Sequence, residues 1–124
     1  MLLFVYGTLK RGGKYHAYLE EAALVAEHAI ANGFLYDTGM GYPSMVMTEE
    51  AEIYGEIYKI PDALWPAIDD LEGYTGGAET DLYDKQMINV KVDGKFYKTI
   101  VYVAKNPALL EKRIDTGIWD VSAV

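Results

Sequence analysis

Residues 83–103, YDKQMINVKVDGKFYKTIVYV, decide the fold. Asp93-Gly94 stands between two alternating, β-branched and aromatic runs, about 83–92 and 95–103. Two residues of this kind tolerate the left-handed backbone that a two-residue hairpin needs, so the stretch reads as a β-hairpin. Working outward, Glu52 to Ile60 (EIYGEIYKI) also alternates at period two and reads as a strand. Leu2-Leu3-Phe4-Val5-Tyr6 is a short continuous apolar run that stops at Gly7-Thr8 and the basic turn Lys10-Arg11-Gly12-Gly13, as a buried strand followed by a loop would. Residues 24–31 and 33–37 read as two strands around a second hairpin signal, Asn32-Gly33, and Ser44 to Met47 as another short strand after a loop from Thr38 to Pro43.

Helical signals are fewer. Pro61-Asp62 opens a predicted helix of about ten residues, with Leu64, Trp65, Ile68 and Leu71 at helical spacing and Gly73 as the glycine just past its end. Residues 15–22 (YHAYLEEA) have helical character, residues 74–81 (YTGGAETD) read as loop, and the tail predicts a short helix over about 107–113. Trp65 and Trp119 read as packing residues. Six or seven short strands with one or two flanking helices and short connections predict an α+β fold. The expectation is a single domain over 1–124 built on a small, mostly antiparallel β-barrel.

Composition narrows the function classes. The chain carries 11 Lys+Arg against 19 Asp+Glu, a net charge of −8, and its lysines are scattered, so nucleic acid is not an expected partner. It has no cysteine, which excludes disulfides, thiolate nucleophiles and cysteine-ligated metal clusters. The longest apolar run, Met1 to Tyr6, is far short of the roughly 18 residues of a membrane span, and it has no basic lead-in of a signal peptide. No membrane partner and a cytoplasmic location are therefore expected. Eleven of the sixteen aromatic residues are tyrosine, which suits a small barrel or a polar pocket.

Few residues are left for chemistry. His16 and His28 have no third ligand at metal-site spacing, so no metal is expected. Neither Ser44 nor Ser122 sits in a nucleophile elbow, and Gly12-Gly13-Lys14 lacks the first glycine and the Lys-[Ser/Thr] pair of a phosphate loop. Two candidates stay open. Tyr6-Gly7-Thr8-Leu9 is either a plain tight turn or a nest of backbone N–H groups for a carboxylate. Asp69-Asp70-Leu71-Glu72 is either a solvated acidic face or the seat of a carboxyl whose pKa is raised, since three acidic groups oppose the dipole at a helix C-terminus. A carboxyl of that kind can serve as base and then as acid.

Three segments together carry a resemblance. Tyr6-Gly7-Thr8-Leu9 is similar to the Y-G-[ST]-L loop of the gamma-glutamylcyclotransferase-like family. Ile68 to Tyr74 (IDDLEGY) resembles its L-D-x-L-E-G-Y segment, and Ile114 to Trp119 (IDTGIW) its I-x-S-G-D-W ending, in the bacterial and gamma-glutamylamine branches. The resemblance implies a small mixed barrel with a cavity and the cyclisation of a small-molecule gamma-glutamyl substrate, with release of 5-oxoproline and an amine and no cofactor. Carried over by position, Glu72 is the general acid/base and Tyr6, Gly7, Thr8 and Leu9 hold the substrate's α-carboxylate. Tyr83 and Tyr102 also fall on family tyrosine positions and are expected at the substrate. The chain departs from the pattern at Lys85, where arginine is usual, at Gly76-Gly77 and at Ile118. A fold-preserving variant of the same chemistry would remove a gamma-glutamyl protecting group from a biosynthetic intermediate. The non-enzymatic alternative is a module that binds an acidic small molecule in the same cavity. Glu72 separates these, because a carboxylate beside an anion site weakens simple binding.

Overall fold

The computed structural model describes residues 1–121; Ser122 and the two residues after it lie outside the described residues. Six strands form among the described residues: β1 (Leu2–Val5), β2 (Ala23–Asp37), β3 (Pro43–Lys59), β4 (Tyr83–Val92), β5 (Lys95–Ala104) and β6 (Lys112–Ile114). One α-helix, α1 (Trp65–Leu71), is joined by short 3-10 turns at His16–Leu19, Asp62–Leu64 and Pro107–Leu109. β1 pairs with β3 and β5, β5 with β4, β4 with β2, and β2 with β3, so five strands close into a barrel. Every pairing is antiparallel except β1 with β5, which makes the barrel mixed. β6 extends the sheet beyond the ring by pairing with the end of β2.

The alternation of side chains builds two cores. Phe4, Tyr6, Ala29, Ala31, Ile53, Ile57, Val101 and Val103 face the barrel interior. Their chain neighbours Leu3, Val5, Tyr58 and Tyr102 face outward and are covered by Ile68 of α1, Leu9, Leu19 and Leu109. β1 is thus buried on both sides, which accounts for its unbroken apolar sequence. The interior is narrow. A Cβ on Gly55 would lie 2.2 Å from the carbonyl oxygen of Val5 and 2.8 Å from the Phe4 ring.

The hairpin at Asp93-Gly94 forms as expected, with both residues at positive φ (50° and 80°) and Val92 opposite Lys95. α1 ends as its sequence indicates. Gly73 (φ 66°) follows Glu72, the Tyr74 N–H bonds the Asp69 carbonyl at 2.9 Å, and the Gly73 N–H bonds the Asp70 carbonyl at 3.1 Å.

Four expectations need correction. Asn32-Gly33 is no hairpin; it lies inside the single strand β2, and neither residue has positive φ. Gly33 is there because β3 passes close by, where an added Cβ would lie 2.6 Å from the Val46 carbonyl oxygen. The strands expected over 44–47 and 52–60 are one continuous element, β3. Asn32 pairs with Glu52 while Gly33 pairs with Met47, so residues 48–51 bulge out of the ladder and bend it around the barrel. The tail helix over about 107–113 is only a three-residue 3-10 turn capped by Asn106, after which Lys112–Ile114 turns into β6. The predicted helix after Pro61 divides into the turn at Asp62–Leu64 and the seven residues of α1.

Candidate active site

A cavity of about 140 Å³ opens where β1 ends, between the barrel and the end of α1. Tyr6, Gly7, Thr8, Leu9, Glu72, Tyr83 and Tyr102 all line it, so every site residue expected from sequence is brought to one place. Tyr15, Tyr42, Pro43, Leu71 and Leu82 complete much of the wall.

The loop after β1 is held by its carbonyls. Gly7 accepts from the Lys10 N–H (3.0 Å), Thr8 from the Tyr15 N–H (2.9 Å), and Leu9 from His16 Nδ1 (2.9 Å). Among the described residues the N–H groups of Gly7, Thr8 and Leu9 have no such partner. Gly7 and Leu9 are buried and Thr8 is half-buried. Buried donors left in this way call for an acceptor, and three successive ones on residues lining a cavity suit an anion. Gly13 lets the loop fold back this tightly, since a Cβ there would lie 2.3 Å from the Thr8 carbonyl oxygen. Gly7 is packed as closely, its absent Cβ lying 2.4 Å from Pro43 Cγ. The Gly7→Val variant is therefore expected to push Pro43 away. Tyr83 would move with it, because its hydroxyl donates to the Pro43 carbonyl at 2.7 Å. Substrate KM should rise at least about tenfold, and an unchanged KM would exclude this loop as the substrate's anchor.

Glu72 caps α1 on the opposite wall and is the one carboxyl among the lining residues. Although the residue keeps some exposure, the protein around its carboxyl raises its pKa from 4.5 to about 7, by desolvation. Burial is the cause of this shift, where the sequence pointed to the helix dipole, and the three carboxyls of the acidic run part company. Asp70 is exposed, while Asp69 turns aside to accept the Lys85 ammonium at 2.9 Å and the Tyr102 hydroxyl at 2.5 Å. Among the described residues no hydrogen bond or ion pair reaches the Glu72 carboxyl.

The tyrosines have settled roles as donors. Tyr6 donates to the Tyr102 carbonyl (2.6 Å), Tyr83 to the Pro43 carbonyl and Tyr102 to Asp69. Burial first, then nearby negative groups, pushes all three phenols up. They stay neutral with their protons committed, so they can accept hydrogen bonds but are poor acids or bases. Lys85 does not reach the cavity lining; its ammonium lies 4.3 Å from the Trp65 ring centroid. Among the described residues there is no cluster of three or more His, Cys, Asp or Glu able to hold a metal ion.

Sequence reasoning left out Tyr42, in the loop of Gly39 and Gly41, and Pro43, the first residue of β3. Nothing local marks them, because the feature that matters is the contact of Pro43 with Gly7 from a distant segment. Asp69 was hidden within the acidic run, three residues before Glu72.

The fold is thus a closed five-stranded mixed barrel in which the loop after β1 and an unpaired carboxyl line one small cavity. Residues 3–121 match the family model described as gamma-glutamyl cyclotransferase, AIG2-like, and the chain belongs to that family. It is 38% identical over 112 residues to a gamma-L-glutamyl-butirosin B gamma-glutamyl cyclotransferase of Niallia circulans, covering 90% of this chain and 71% of the relative. The solved structure of YkqA from Bacillus subtilis is similar at TM-score 0.76 and 29% identity over 95% of this chain, which spans only 39% of that longer one. An AIG2-like protein from Mus musculus shares the fold at TM-score 0.78 and 22% identity, covering 98% of this chain and 89% of that one. The family and the names of its members support gamma-glutamyl cyclotransferase activity. No helix among the described residues is long and apolar enough to cross a membrane.

Proposed function

We propose that this protein cyclises a gamma-glutamyl amine or peptide, releasing 5-oxoproline and the free amine, with Glu72 as the single acid/base. The observation that carries this reading is the Glu72 carboxyl, unpaired and raised to about 7, in one cavity with the free N–H groups of Gly7, Thr8 and Leu9.

The substrate's α-carboxylate binds those N–H groups, which need no charged side chain. Its α-ammonium then faces Glu72. The nucleophile must be the free amine, so the Glu72 carboxylate takes one ammonium proton and the amine nitrogen attacks the γ-carbonyl carbon. A five-membered ring closes as a tetrahedral intermediate. On its collapse the bond from the γ-carbon to the leaving nitrogen breaks as the proton held by Glu72 passes to that nitrogen. The second proton of the ring nitrogen is taken by the freed Glu72 carboxylate and leaves with the amine as its ammonium. The carboxylate is regenerated and no water is consumed. Anchoring one end of the glutamyl unit forces the chain to fold back, which supplies much of the proximity the ring closure needs. Tyr6, Tyr83 and Tyr102, with neutral committed hydroxyls, shape the pocket around the glutamyl carbons.

The test is 5-oxoproline release from a panel of gamma-glutamyl dipeptides and amines. Because the name of the Niallia circulans relative specifies gamma-L-glutamyl-butirosin B, that compound belongs on the panel. The pH dependence has a definite sign. Glu72 must be ionised to accept the proton, so kcat/KM should rise with pH to a plateau above its pKa of about 7 and fall about tenfold per unit below it. A rate that increases on acidification through this range would require the protonated form and contradict the role given to Glu72.

A further inference from the structure

We propose that Asp69 is a positioning residue of this site, locking the Glu72-bearing helix end to the hairpin wall and, through Tyr102, to the anion-binding loop. The proposal rests on the cyclisation reading above.

The two donors to the Asp69 carboxylate are not independent. Lys85 on β4 and Tyr102 on β5 stand directly opposite each other in the hairpin, so one rigid cross-strand pair presents both. Asp69 also uses its backbone, since its carbonyl accepts the Tyr74 N–H that closes the end of α1. Side chain and main chain of one residue thus set where the helix stops and how it sits on β4 and β5, and Glu72 is the next residue but two. From Tyr102 the connection continues: its own carbonyl accepts the Tyr6 hydroxyl at the start of the Gly7–Leu9 loop. A single run of hydrogen bonds therefore joins the wall that carries the acid/base to the wall that would hold the substrate's carboxylate.

The Asp69–Lys85 pair is largely withdrawn from water, with side-chain exposures of 25% and 20%. The Lys85 ammonium is further held over the Trp65 ring, and the Tyr74 and Tyr102 rings lie within 6 Å of it. A buried ion pair adds little stability over an apolar pair of the same shape. What it does provide is direction, and the direction here is the placement of Glu72. Neither Asp69 nor Lys85 lines the cavity.

Steady-state kinetics of 5-oxoproline release test this, with folding followed by circular dichroism. Both donors meet the same oxygen, Oδ1, so Asp69→Asn keeps the shape and an acceptor but removes the charge that holds the Lys85 ammonium. It should lower kcat by about 10–100-fold while KM stays within about threefold, the pattern of a displaced catalytic group. Lys85→Met, which alters no cavity residue, should show the same kcat-selective loss, and Lys85→Arg should restore kcat to within about threefold of wild type. Removing both charges (Asp69→Asn with Lys85→Met) should cost less than the two single losses multiplied, because no buried charge is left unpaired. Wild-type turnover together with an unchanged kcat in Asp69→Asn and Lys85→Met overturns the proposal alone. A loss that merely follows the unfolded fraction also overturns it. No turnover by the wild type on any panel member overturns the cyclisation reading and this proposal with it.

Discussion

Replacing Glu72 with glutamine is expected to abolish turnover while making the protein more stable at alkaline pH. The activity argument is direct. Glutamine matches the carboxyl in size but neither takes the ammonium proton nor delivers one to the departing amine, and each such transfer is typically worth about 10²–10⁴-fold. The cavity offers no substitute, because its tyrosines are held neutral with their protons donated elsewhere. The loss should therefore be at least about 10³-fold in kcat. Affinity for the substrate's carboxylate should persist, since the N–H groups of Gly7, Thr8 and Leu9 are untouched.

The stability argument follows from proton linkage. A carboxyl whose pKa rises from 4.5 to about 7 on folding binds its proton more tightly in the folded state. Its stabilising contribution is complete below pH 4.5 and is lost as the pH rises through 7. The shift corresponds to about 3 kcal/mol. Between pH 4 and pH 8 the stability of Glu72→Gln relative to wild type should thus improve by roughly that amount, measured by denaturant unfolding at both values. An unchanged difference would mean that the carboxyl is not desolvated in the folded protein. A destabilising group retained in the cavity is what a catalytic carboxyl requires and what a packing residue would not be.

The second large effect concerns the fold. Gly55→Ala places a methyl group 2.2 Å from the Val5 carbonyl oxygen and against the Phe4 ring. Val5 is held in the ladder with β3, its partner being Glu56, so its backbone cannot retreat without opening the β1–β3 pairing. The same strand runs straight into the Gly7–Leu9 loop. The expected destabilisation exceeds about 3 kcal/mol, at the upper end for a single added methyl, with activity lost in parallel. A melting temperature close to wild type would show that the barrel interior is less tightly packed at this point.

Local chemistry was readable in the sequence and long-range chemistry was not. Asp93-Gly94 made a hairpin because both residues can take positive φ, a property of the two residues themselves. Asn32-Gly33 carries the same signature for a different reason, the passage of β3 over a residue without a side chain, and only the partner strand distinguishes the cases. The parallel pairing of β1 with β5 joins residues such as Leu3 and Ile100, and closure of the ring depends on such distant pairings, which alternation alone does not specify. The end of α1 at Gly73 was legible from its glycine, while the length of the helix was not, because Asp62–Leu64 winds as a 3-10 turn. In the site, the Tyr6–Leu9 loop and Glu72 stood out by resemblance. Pro43 and the Asp69–Lys85–Tyr102 contact did not, since their importance arises from what the fold sets beside them.

The most direct measurement is 5-oxoproline formation from gamma-glutamyl dipeptides, gamma-glutamyl amines and gamma-L-glutamyl-butirosin B, wild type beside Glu72→Gln. Formation by the wild type, with an equal yield of free amine and at least about a 10³-fold loss in the variant, is the expected result. Equal formation by both proteins would contradict the assignment of Glu72 as the acid/base of this cavity.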